Sequence, residues 1–121
     1  MPDPGSGPLD RSALERLSEM TGGDRDFLIE LIDTFVADGR TIIDSMERAV
    51  VAGSDGELLR PAHTLKGNAV TFGAARLAEL SRQLETDARS GIVADGRSRV
   101  REVADEFAAV EAALLAEREA S

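Results

Sequence analysis

His63 and Lys66 are the sole histidine and the sole lysine of the chain, three residues apart in "RPAHTLKGNAVTFGA", with Gly67 directly after. All other basic side chains are arginine. An imidazole is largely neutral at cell pH, so a ring nitrogen can attack an electrophile. An ammonium one helical turn away opposes protonation of such a ring, and it could stabilise a dianionic group placed there. Lysine suits this use as a compact, mobile point charge. A glycine beside the ring leaves room for another protein's active site to reach the helix surface. The trio fits a histidine that accepts and donates a phosphoryl group while a partner supplies the remaining machinery.

A helix must present these residues. Leu58, Ala62, Leu65, Ala69 and Phe72 are spaced 4, 3, 4, 3 and predict a buried stripe. Positions 59, 63, 66, 67 and 70 then share another face, so His63 points outward with Lys66 and Gly67 beside it. Ser54 or Asp55 is the expected cap. Pro61 removes a hydrogen bond to the carbonyl of Glu57, which predicts a bend or an irregular first turn. Gly73 can end the helix in a left-handed conformation.

The flanking elements are helical too. A short helix is expected from Asp10 to Met20, with Leu14 and Leu17 on one face. "TGGD" breaks the chain, and Asp24 can cap a helix from Arg25 to Val51. Leu28, Leu31, Ile32, Phe35, Ile42, Met46 and Ala49 form its stripe. Gly39 falls on that stripe, where close approach of a neighbouring helix would explain it. A helix over Ala75–Arg89 turns Leu77, Leu80 and Leu84 inward. The last, Arg97–Glu117, carries Val100, Val103, Phe107, Val110 and Leu114 as a bundle seam. These patterns predict an all-α fold: an antiparallel four-helix bundle with the short N-terminal helix packed on one end as a lid. Residues 1–8, rich in Pro and Gly, read as a disordered tail, and residues 9–121 as one domain.

Composition removes several function classes. The net charge of −9 disfavours nucleic acid and anionic membranes. There is no cysteine, and one histidine leaves only carboxylates for a metal, without a paired ligand motif. No cofactor or metal is expected. No apolar run approaches the ~20 residues of a membrane span. "MPDPGSGPLD" lacks the pattern of a signal peptide, so a cytoplasmic monomer is expected.

"AHTLKGNAVTFGA" closely resembles the signature of histidine-containing phosphotransfer (HPt) domains: His, two residues, Lys-Gly, five residues, Gly. "FLIELIDTF" is similar to the family's second helix and "GAARLAELSRQLE" to its fourth; the C-terminal helix agrees by pattern. Asn68 departs from the Ser or Ala common after the glycine. The resemblance implies that His63 carries the phosphoryl group on its outer ring nitrogen. It also implies that Lys66 stabilises that group, Gly67 admits the partner and Gly73 is structural. Some members hold the other ring nitrogen with a Glu or Gln twenty-two residues on, which here is Glu85. A hairpin turning at Gly73 allows that pairing, although a solvated helix charge is the other reading of Glu85. Leu59, Val70 and Gly67 would form the partner surface, and receiver domains of response regulators or hybrid kinases would be the partners. The implied role is a phosphorelay shuttle without ATP-binding or autokinase activity.

Three rivals stand beside this. A non-phosphorylated docking bundle would have no need of His63 and its neighbours. A sensor-kinase dimerisation domain would place an acidic residue after the histidine, where Thr64 stands, and would need a nucleotide-binding domain. A hydrolase or metalloenzyme lacks its ligands.

Overall fold

Side-chain caps start the first two helices of the computed structural model, which describes residues 7–119. Asp10 caps α1 (Arg11–Met20) by accepting from the Ser12 backbone N–H. Asp24 caps α2 (Arg25–Val51) by accepting from that of Phe27. A 3-10 turn, Asp55–Leu58, leads into α3 (Leu59–Thr71), so Pro61 falls in the first turn of the α-helix proper, where its missing N–H costs least. The irregular start expected there is present. Gly73, at φ 72°, turns the chain into α4 (Ala75–Arg89). Finally, α5 (Gly96–Glu119) runs slightly beyond both expected ends.

Helices α2, α3, α4 and α5 form a ring in which α2 and α4 each pack between α3 and α5. The pairing order makes the neighbours antiparallel. Arg40 on α2 meets Glu111 on α5, whereas Arg25, earlier on α2, reaches the carbonyls of Glu117 and Arg118, later on α5. On α4, Arg76 meets Glu106, while Asp87 meets the earlier Arg99. Across one end lies α1. Its Asp10 N–H donates to the Gly73 carbonyl at 2.8 Å, and Arg11 pairs with Glu117.

The core follows the expected stripes closely. Leu58, Ala62, Leu65 and Ala69 of the α3 stripe are completely buried, and Phe72 nearly so. All five seam residues of α5 are buried. Phe35 stacks between Phe72 and Phe107, with ring centroids 4.6 Å and 5.8 Å away.

Four details differ from expectation. On α4, Leu80 is only half-buried, while Ala78 and Ala88 join Leu77 and Leu84 in the core. On α2 the buried residues include Val36 and Ile43, while Leu28, Leu31 and Ile42 are only half-buried against the core. Ser54 makes no side-chain cap bond, and Asp55 instead accepts from the Val93 N–H in the α4–α5 connection. On α1, Ala13 rather than Leu14 joins Leu17 in full burial. The expected N-terminal tail lies outside the described residues up to residue 6; beyond it Leu9 packs against the core.

Gly39 meets the expected neighbour. A Cβ built on it would collide with the ring edge of Phe107, and that ring is buried against Phe35. Gly39→Ala should therefore lower stability despite alanine's helix propensity. Overpacking costs about 1–3 kcal/mol, against a propensity gain of about 1 kcal/mol. Thermal melts check this, and adding Phe107→Leu should recover part of the loss.

Candidate functional site

The α3–α4 hairpin sets the site. His63 projects from α3 away from its buried stripe, Lys66 lies on the flank that faces α4, and Glu85 lies on α4 among buried Ser81, Leu84 and Ala88. His63 and Glu85 stand ten and twelve residues from Gly73 along the two arms. The hairpin brings them together. Glu85 Oε2 is 2.6 Å from His63 Nδ1, and Glu85 Oε1 accepts from Lys66 Nζ at 2.6 Å. Arg89, one turn on, approaches Oε2 at 3.3 Å.

Exposure divides these groups. The Glu85 side chain is 6% exposed, the His63 side chain 66% and that of Lys66 32%. Hydrogen bonds from Lys66 and then His63 hold the Glu85 carboxyl below the usual carboxylate range, although burial pushes it the other way. An ionised carboxylate can only accept, so Nδ1 carries the hydrogen. In the neutral ring Nε2 then keeps its lone pair. Among the described residues nothing hydrogen-bonds to Nε2, and the ring projects from the surface.

The remaining candidates sit around this centre. Gly67 is exposed, and a Cβ there would meet nothing within 4 Å. Val70 is 64% exposed, while Leu59 is half-buried against the core and offers less surface. Gly73 serves the turn and also the close seat of α1, since a Cβ would press on Ala13. Beside the site a shallow notch of about 390 Å³, between α1 and the α3–α4 hairpin, is lined by Arg16, Lys66, Val70, Ala78 and Arg82. Arg82 is engaged by Glu79, whose carboxyl its hydrogen bonds pull down to about 2. Among the described residues no group of His, Cys, Asp or Glu is placed to hold a metal, and no helix is long and apolar enough to cross a membrane.

Arg89 is the contributor that the motif does not mark. Its signal was its place four residues after Glu85 on one helix.

The Hpt domain family model matches residues 30–113, most of the bundle. The crystal structure of histidine-containing phosphotransfer protein B (HptB) from Pseudomonas aeruginosa PAO1 superposes with a TM-score of 0.85 at 31% identity, covering 94% of this chain and 96% of that one. This chain belongs to the Hpt family. No curated protein sequence matches it. An Hpt domain is a histidine phosphotransfer shuttle of phosphorelays, and a docking bundle without phosphotransfer is not favoured. In this Hpt domain the signature's His, Lys and first glycine stand on α3, its second glycine makes the turn to α4, and Glu85 meets His63 and Lys66 from that helix.

Glu85 makes the hairpin acid-sensitive. Its folded-state pKa lies below the unfolded value, so its contribution is complete above the ordinary glutamate value of about 4.3 and fades as pH falls through the folded one. Melting temperature should therefore drop more steeply with acidification below about pH 4.3 in the wild type than in Glu85→Gln. Parallel acid profiles of the two proteins would refute the linkage.

Proposed function

We propose that His63 Nε2 of this Hpt domain accepts a phosphoryl group from the aspartyl phosphate of one receiver domain and passes it to another. The observation that carries the reading is an exposed imidazole gripped from below by a buried carboxylate at Nδ1. That grip supports a lone pair at the outward nitrogen. The Nε2 lone pair forms the N–P bond as the P–O bond to the aspartate breaks, and the released pair leaves on the partner's carboxylate. The ring becomes a phosphorylated cation with its hydrogen still on Nδ1, facing Glu85. The reverse step is the same displacement by an aspartate oxygen.

Magnesium and the acidic pocket belong to the receiver in this reading. Within these residues no glycine-rich phosphate loop supports ATP binding or autokinase activity. Receiver domains of response regulators or hybrid kinases are the partners, met by a cytoplasmic monomer that binds neither membrane nor nucleic acid. The docking face centres on His63, with Gly67 as its open floor, exposed Val70 as an apolar contact and Leu59 at its edge.

His63→Gln should abolish acid-labile labelling from a phosphorylated receiver while helical circular dichroism is retained. Label persisting on that variant would overturn the assignment. Gly67 tests the docking face separately. Alanine there should leave the fold intact or stabilise it by up to about 1 kcal/mol. Gly67→Gln should melt no lower than the wild type and still take phosphate from phosphoramidate, yet transfer severely less from a receiver. Normal receiver transfer would move the docking face elsewhere.

A further inference from the structure

The seam between α2 and α5 lies across the bundle from the α3–α4 seam that carries His63, because α2 and α4 each pack between α3 and α5. A groove of about 420 Å³ opens there near the C-terminal end of α2. Through Glu47 it continues into a second hollow of about 260 Å³ beside Arg40 and Phe107. From Arg40 to Val51 the two run about 17 Å, roughly three helical turns at ~1.5 Å per residue. The floor is apolar: Val50 and Ala104 are half-buried, and Val51 is 75% exposed. The rim is charged and sorted by sign. Arg97 and Arg101 line one end, a turn apart on α5, and Asp105 follows a turn later. Arg40 pairs with Glu111 across these antiparallel helices, so Glu47 stands near the level of Ala104, at the acidic end. Most arginines of the chain bind a carboxylate or a backbone carbonyl. Among the described residues Arg97 and Arg101 bind neither, and Glu47 and Asp105 have no ion-pair partner.

We propose that this groove is a second docking surface, which takes one amphipathic helix of a partner protein. That helix carries an apolar stripe at i, i+3, i+4 and i+7, with acidic residues toward one end and basic residues toward the other. The stripe seats on Val50, Val51 and Ala104. The acidic end lies over Arg97 and Arg101, and the basic end over Glu47 and Asp105. Shape decides against a second copy of this chain, since two concave faces cannot fill each other, whereas a helix is the ridge that fits between two helices. Charge decides against nucleic acid or a uniformly acidic segment, which Glu47 and Asp105 would repel. The sorting of charge along the groove therefore selects the partner, and unpaired rim charges add specificity more than affinity. A partner held there leaves His63 open on the far side of the bundle. The surface can tether the protein without blocking its imidazole, and it does not depend on what that imidazole does.

Two synthetic helical peptides of about fourteen residues, roughly four turns, test this. Both carry the same leucine stripe and the same glutamates and lysines. In one the charges are sorted to opposite ends; in the other they alternate along the length. The sorted peptide should bind the full chain about tenfold or more tighter, and its advantage should shrink as salt rises. In NMR it should shift the backbone amides of Val51, Arg101 and Ala104 and leave that of His63 in place. The double variant Arg97→Glu with Arg101→Glu should lose about tenfold or more of the sorted peptide's affinity, and Val51→Ser should weaken both peptides. These side chains are exposed, so circular dichroism and melting should match the wild type. Equal affinity for the two peptides would overturn the proposal, as would no binding or shifts centred on His63. A dimer of the protein alone that the double variant dissociates would give the groove to a second copy and overturn it too. Transfer from a receiver should be unchanged when the sorted peptide is saturating; slowing would make the seam part of the receiver's docking face and refute a separate surface. If His63 takes no phosphoryl group at all, the phosphotransfer reading fails, and peptide binding still decides the role of the groove.

Discussion

The site depends on one constraint, the register of the α3–α4 hairpin. Gly73 takes a left-handed conformation that L side chains rarely adopt, and α1 is seated against it through Asp10 and Ala13. That turn sets which residue of α4 lies opposite which residue of α3. Small side chains let the helices close on each other: Ala62 and Ala69 on α3 and Ala74 between the arms are completely buried, as is Ser81 on α4. With the core stripe of α3 buried to this degree, its opposite face has nowhere to go but the surface. Exposure of His63 and burial of Glu85 are two results of the same packing.

Electrostatics then decides whether the packing is tolerable. A lone buried carboxylate would be a liability in this core. Here three cationic or hydrogen-bearing groups converge on it, two from the preceding helix and one from the next turn. The arrangement resembles a keystone: each α3 group is held by a different oxygen, so neither can shift without loosening the other. Ion pairs such as Arg82–Glu79 and Arg48–Asp44 are exposed on both sides and add little to stability. The hairpin pair differs because one partner is out of water.

Much of this was legible in residue spacing. The stripes of α3 and α5 repeat at bundle period, and the structure buries every member of both. The phase drifted on α2, where 27 residues allow a wide apolar face and periodicity does not choose between Ile42 and Ile43. Asp55 looked like a cap because aspartate before a helix is a local signal. Its actual partner, the Val93 N–H, is 38 residues away and invisible to local reasoning. The same limit applies to Ser81, whose hydroxyl is buried without a partner among the described residues. It also applies to the Lys66–Glu85 contact. Spacing along one helix placed Lys66 beside His63; only the fold shows that its charge faces across to α4.

Two helix-interior glycines make opposite statements about where their purpose lies. Each should cost about 1 kcal/mol relative to alanine. At Gly39 the molecule itself supplies the reason, because the space of a side chain is filled by Phe107. At Gly67 a side chain would meet nothing, and the helix passes the position without irregularity. No contact within the described residues offsets the loss there. The docking face proposed above supplies a reason outside the chain: Gly67 lies one turn past His63 on the exposed side of α3, where a missing side chain would leave room for a partner.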